Sequence, residues 1–170
     1  MYVCYTGPKN EIYVLNSSGA TSIGSFVEQQ LALIMDSDQN SFTVIYPKVK
    51  DQLEGINECG PLAIAFATQL AFSGRVTFVD FKLEELRPHL LKCLKAGRLE
   101  PFPRNGEESA TKRLKTEEVV VFCTCRLPGH YDMNLVLCMK CRRWCHYKCH
   151  GLTQKPLERR WLCTICKTKC

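Results

Sequence analysis

The sequence contains no apolar run near the ~20 residues that a membrane-crossing helix needs. Its start also lacks the charged-then-apolar pattern, ending in small residues, of a secretory leader. Neither a membrane partner nor an oxidising compartment is therefore expected. Histidine is scarce: there are 4, at positions 89, 130, 146 and 150, so none precedes Cys59. Acid is nearly missing from one end. Residues 119–170 hold 2 Asp+Glu against 10 Lys+Arg, a net of +8, whereas residues 1–118 hold 15 against 13, a net of −2. The stretch from Pro101 to Glu118, PFPRNGEESATKRLKTEE, has almost no apolar residue and cannot bury a core, so residues 104–118 are expected to be a charged linker. Its run Lys112-Arg113-Leu114-Lys115 suits nuclear import, and equally a solvated surface.

Cysteine, by contrast, is plentiful. Of the 12, seven join His146 in a paired array: Cys123 and Cys125, Cys138 and Cys141, His146 and Cys149, Cys163 and Cys166. Pairs this closely spaced present two soft donors to one ion from a single turn, which suits tetrahedral zinc. In a reducing compartment the pattern favours metal over disulfides. Eight ligands make two sites, hence two Zn2+. Apolar residues between the ligands are few, so a segment of this size cannot offset its chain entropy without the metal. Cys145 and Cys170 read as bystanders, and Cys93 as core.

The spacing C-x-C, twelve residues, C-x2-C, four residues, H-x2-C, thirteen residues, C-x2-C resembles the PHD finger over residues 119–170. Trp144 and Trp161, each two residues before a ligand, stand where that family has aromatics. A RING domain, which places its histidine earlier, is the lesser match. The PHD resemblance implies interleaved ligands, with Cys123, Cys125, His146 and Cys149 on one zinc and Cys138, Cys141, Cys163 and Cys166 on the other. It also implies a nuclear or nucleocytoplasmic protein that takes a histone tail or another protein peptide. Phe122, Trp144, Leu135 and Met133 would line the peptide site, with Tyr131 at its rim, and an aromatic pair there can hold a methylated lysine by cation–π attraction. Phe122 and Trp144 serve equally well as core of a small scaffold, and Trp161 is expected to be core. The basic surface, with Lys140, Arg142 and Arg143 in or beside the C-x2-C loop, disfavours a basic peptide and keeps nucleic acid or a phosphate-rich partner open.

Residues 1–103 carry a second signal. Cys59 heads the apolar run CGPLAIAFATQLAFS, a helix with Gly74 as its stop, and a helix N-terminus favours thiolate. Taken alone, a cysteine there is more often a small buried hydrophobe. The stretch Gln52 to Phe72 and the later LRPHLLKCLKAGRLEPFP resemble the ubiquitin-like-protein proteases, which are papain-like cysteine peptidases. That resemblance implies Cys59 as nucleophile, Gln52 at the oxyanion hole and a ubiquitin-like modifier as substrate. The family's histidine falls on Met1-Tyr2 and its aspartate on Asn16, so a non-catalytic remnant or an incomplete domain is expected. Alternating Val3–Tyr5 and Ile12–Leu15 around Gly7-Pro8-Lys9-Asn10 predict a hairpin, and Phe42–Tyr46 a strand. Ile23, Phe26, Val27, Gln30, Leu31, Ile34 and Met35 recur at helical spacing and read as a core-facing stripe. Residues 76–79 read as an edge strand and 83–96 as a helix ended by Gly97. The whole is α+β: a partial papain-like domain followed by a small cross-braced two-zinc finger.

Overall fold

The computed structural model describes residues 1–35, 40–53, 55, 57–128, 134–157 and 160–168. Its elements are β1 (Val3–Thr6), β2 (Glu11–Leu15), α1 (Ser25–Ile34), β3 (Ser41–Pro47), α2 (Cys59–Ser73), α3 (Leu86–Ala96), β4 (Arg113–Phe122), β5 (Leu127–Pro128), β6 (Leu135–Leu137), β7 (Trp144–His146) and α4 (Thr164–Thr168). The mixed α+β expectation holds. No described helix is long and apolar enough to cross a membrane. The chain forms two compact units, one of Met1–Ser22 with Val44–Glu117 and one of Ile23–Thr43 with Glu118–Cys170.

In the first unit β1 and β2 form the expected antiparallel hairpin, registered from Val3 opposite Leu15 to Thr6 opposite Ile12. Lys9 and Asn10 turn the chain with φ of 55° and 63°. Gly7 is required here: a Cβ would stand 2.6 Å from Cε2 of Tyr13. That ring is pinned, because its hydroxyl donates to Glu11 Oε2 at 3.1 Å and accepts from Arg113 Nη2 at 3.1 Å. Gly7→Ala is expected to destabilise this unit by about 1–3 kcal/mol, the range for overpacking a filled site. Denaturant titration of the variant checks it, and an unshifted midpoint would show that Tyr13 swings aside freely.

The apolar composition of α2 buries Leu62, Ala63, Ala65, Phe66 and Thr68. Gly74 ends it in the left-handed region at φ 66°, its amide bonded to the Leu70 carbonyl. After a 3-10 turn over Leu83–Glu85, α3 ends the same way at Gly97. Arg87 on α3 reaches Glu58, the residue before α2, at 2.9 Å and so ties the two helices together. Between them and the hairpin lies one core of Leu15, Val49, Leu62, Phe66, Val79, Phe81, Leu86 and Phe102, with Phe81 between Phe66 (6.0 Å) and Phe102 (6.4 Å). Cys93 is buried, as expected.

Two expectations need correction. Residues 104–118 are not a free linker. Asn105 donates to Asp80 O at 2.7 Å, Ser109 and Phe78 exchange backbone bonds of 2.9 and 3.1 Å, and Lys48 N donates to Lys112 O at 2.7 Å before β4 begins at Arg113. The composition excluded a buried core, but a segment can be held by backbone hydrogen bonds without apolar side chains. Of residues 76–79, only Phe78 pairs, through its bridge to Ser109. The second correction concerns α1. It buries Leu31 and Ala32, while Phe26, Leu33 and Ile34 are exposed. It belongs to the second unit, where the Ala32 carbonyl accepts Arg126 Nε–H at 2.9 Å. In that unit Val121 N donates to Asn40 O at 2.8 Å, β4 pairs antiparallel with β5, and β6 with β7.

Candidate metal centre

Local backbone chemistry aims the ligands of the second unit. Cys123, Arg126 and Arg142 hold φ of 59°, 57° and 59°, tight left-handed turns beside the cysteine pairs. At the second pair the chain reverses within Cys138–Arg143: Arg142 N donates to Cys138 O and Cys138 N to Arg143 O, both at 2.9 Å. This knuckle joins β6 to β7. Leu135 therefore lies opposite His146, Val136 opposite Cys145 and Leu137 opposite Trp144. Met139 N bonds to Trp161 O at 3.0 Å and Cys163 N points to Cys138 Sγ at 3.3 Å, which brings the last cysteine pair to the second.

The result is two tetrads. The ligand atoms of Cys123, Cys125, His146 and Cys149 lie within 4.8 Å of one another, and so do those of Cys138, Cys141, Cys163 and Cys166. The ring nitrogen facing the first tetrad is Nδ1 of His146, 3.2 Å from Cys125 Sγ. In the second, Cys141 Sγ is 4.0 Å from Cys163 Sγ. None of these cysteines is in a disulfide. A set of three sulfurs with one imidazole nitrogen, and a set of four sulfurs, both converging and partly buried, fit tetrahedral zinc.

Electrostatics within each tetrad is opposed until a cation arrives. Cys123 is pulled down from the ordinary thiol range, first by the hydrogen bond from the Cys145 thiol, then by the amides of Cys125 and His146, against burial. Burial pushes Cys138 up, but amides of Cys141, Cys163 and Lys140 outweigh it. Their partners go the other way: burial, together with neighbouring thiols, pushes Cys149 and Cys166 up to about 12. Without metal those two thiols stay protonated at neutral pH, so binding zinc must release protons.

Cys145, a bystander by its sequence position beside His146, and His150, which the spacing leaves without a role, both lie close to Cys123. Their donor atoms lie within 4.8 Å of one another and of Cys123 Sγ. His150 Nε2 is 3.5 Å from Cys123 Sγ, and its Nδ1 lies 3.4 Å from the Thr164 amide and 3.2 Å from Thr164 Oγ1. The ring packs edge-on against Trp161 at 5.3 Å, and Trp161 is buried, as expected. A histidine directly after a cysteine ligand was the available signal.

Of the candidate peptide residues, Trp144 is 46% exposed at the start of β7. Leu135 is half-buried on β6, and Phe122 is half-buried against the cysteine-rich core. Met133 and Tyr131 lie outside the described residues. In the first unit Cys59 is half-buried as the first residue of α2. The Gln52 amide donates to Ser17 O, while its side-chain Oε1 is enclosed without a partner among the described residues. Asn16 is a turn former, its Oδ1 accepting from Ser18 N at 3.1 Å. His89, the one histidine before residue 118, has its Nε2 on Glu100 O at 3.1 Å and Cys93 Sγ at 3.4 Å, with its ring on Phe102. It is thus engaged away from the role of base that a nucleophilic cysteine requires.

The family model described as PHD-finger matches residues 122–166. Polycomb protein Pcl of Drosophila melanogaster is 31% identical over 77 residues, which cover 42% of this chain and 7% of that protein. The chain thus spans a small part of its relative. No solved structure matches. Residues 122–166 are a PHD finger with two cysteine/histidine clusters for two zinc ions. The peptidase resemblance of residues 1–103 gains nothing from these matches.

Proposed function

We propose that this chain is a non-catalytic, zinc-dependent reader of a histone tail, working in the nucleus at chromatin. Cys123, Cys125, His146 and Cys149 hold one ion, and Cys138, Cys141, Cys163 and Cys166 the other. Bound zinc would supply the charge that lets the thiolates lie together and would so fix the β6–β7 hairpin. The observation that carries the reading is the outer edge of β6. Among the described residues, Leu135, Val136 and Leu137 make no main-chain hydrogen bonds outside the pair with β7. An unpaired edge on a two-stranded sheet accepts an extended peptide as a third strand, with alternate side chains read by the flanking residues. Trp144, on β7 across from Leu137 and nearly half exposed, offers an aromatic surface one strand in from that edge. The PHD match and the chromatin-linked name of the Drosophila relative support the same partner class.

Trp144→Ala tests it. Titration of the zinc-loaded chain with histone-tail peptides is expected to show at least a tenfold loss, about 1.4 kcal/mol. The zinc count should stay at two, since Trp144 is no ligand. Equal affinity of variant and parent would defeat the assignment.

A further inference from the structure

A ligating histidine ordinarily donates its second ring nitrogen to a partner that fixes the ring and raises its basicity. In His146 that nitrogen, Nε2, is buried and has no partner among the described residues. Within the first tetrad the outer contacts fall instead on Cys123, which is buried. Thr124 Oγ1 lies 3.7 Å from its sulfur, and His150 Nε2 lies 3.5 Å from it. Cys145 Sγ is within 4.8 Å, but a thiol has one proton, and Arg143 O at 3.7 Å competes for it. Thr124 is the next residue along the chain and comes with the turn. His150 is 27 positions away and arrives through tertiary structure.

The ring of His150 is held from two sides. It packs edge-on against buried Trp161 at 5.3 Å, and Thr164 meets its Nδ1 with the amide at 3.4 Å and the hydroxyl at 3.2 Å. Matching donors to acceptors leaves one arrangement in which no donor faces a donor and no lone pair faces a lone pair. A backbone N–H can only donate, so Nδ1 must offer its lone pair to Thr164. A cysteine that ligates zinc is a thiolate and can only accept, so Nε2 must bring a proton to Cys123. The Thr164 hydroxyl can serve as donor or acceptor and fits.

We propose that His150 is a positioning residue of the first zinc site, donating Nε2–H to the Cys123 thiolate while Thr164, next to Cys163 of the second tetrad, holds the ring. A charge-assisted hydrogen bond away from water is stronger than a neutral one. It sets the direction of the Cys123 sulfur and offsets part of the repulsion among the three thiolates of that tetrad. The second tetrad is served by main chain instead, with Cys163 N on Cys138 Sγ at 3.3 Å. Changes at His150 should therefore affect the two ions unequally. This role presupposes an ion in the first tetrad and is independent of the peptide edge.

Long-range proton–nitrogen correlation spectra of the full zinc-loaded chain test the proton itself. The His150 ring is expected to be neutral with its proton on Nε2; a proton on Nδ1 with Nε2 bare would overturn the proposal, whatever the variants do. Graded chelator, with zinc counted by native mass spectrometry and freed thiols mapped by alkylation, tests the consequence. His150→Phe keeps a ring against Trp161 but has no donor, so affinity for the first ion should fall at least about tenfold. Cys125 and Cys149 should then be alkylated while Cys163 and Cys166 stay protected. His150→Gln lacks the ring but keeps a side-chain N–H, and should hold the ion more tightly than His150→Phe. The reverse order would assign His150 to packing on Trp161 and overturn the donor role, as would a parent-like profile in both variants. A parent chain that carries fewer than two ions would defeat the tetrad assignment itself, whereas two ions with the proton on Nδ1 would defeat the donor role alone.

Discussion

Chelating the metal is expected to unfold the hairpin β6–β7 and the segments that carry the cysteine pairs, while α2 and α3 remain folded. The fully buried cluster of the finger is mostly cysteine, with Cys123, Cys138, Cys145, Cys163, Cys166 and Trp161, and only Phe122, Val136, Leu152 and Leu162 add partly buried hydrocarbon. With so little hydrocarbon to remove from water, metal–ligand bonds worth about 10–16 kcal/mol per structural site carry the fold. Hydrogen exchange should show amide protection of Val136 and Cys145 collapsing on chelation and returning with zinc. Lasting protection of those amides in metal-free protein would contradict this account. Acid should have the same effect as chelator. Assembling the tetrads without an ion would hold the protons of Cys149 and Cys166 up to about 12, through burial and the neighbouring thiols, so acid favours the protonated, metal-free and unfolded finger. Zinc displaces these protons on binding, so affinity falls as pH is lowered, by about tenfold per pH unit for each proton released. Cys141→Ser should leave one zinc by native mass spectrometry, because it removes a ligand of the second tetrad and none of the first.

Phe81→Ala is expected to be the most damaging single change in the first unit. Phe81 is 2% exposed, with Phe66 and Phe102 on either side. Truncation removes buried aromatic area and leaves a cavity walled by two rings that cannot both close on it, a loss of about 3–5 kcal/mol. Chemical denaturation followed through the first unit would measure it, with the zinc count as control. A loss below about 1 kcal/mol would mean that the rings collapse into the space.

The parts of the molecule that sequence made legible are those written in short-range chemistry. Paired cysteines at fixed spacings, Gly74 and Gly97 as helix stops, and the Gly7–Asn10 turn each state their conformation locally, and each is found in place. Tertiary choice was not legible. The helical period shared by Phe26, Leu31 and Ile34 of α1 reports only that a face is apolar, not which neighbour covers it. The polarity of residues 104–118 suggests a free segment, although backbone amides satisfy one another regardless of side chain. The place of His150 is hidden from the sequence for a similar reason. Its place depends on Nδ1 accepting from the Thr164 amide while Nε2 meets Cys123, a coincidence of residues 14 and 27 positions away.

The assembly of the second unit from two separate stretches of chain bears on how the protein can be cut. A fragment beginning at residue 119 would contain every zinc ligand and would look complete by any cysteine-based definition. It would nonetheless leave Arg126 without the Ala32 carbonyl and Val121 without the Asn40 carbonyl. Recombinant boundaries drawn around the ligands alone therefore sever part of the fold's own scaffolding.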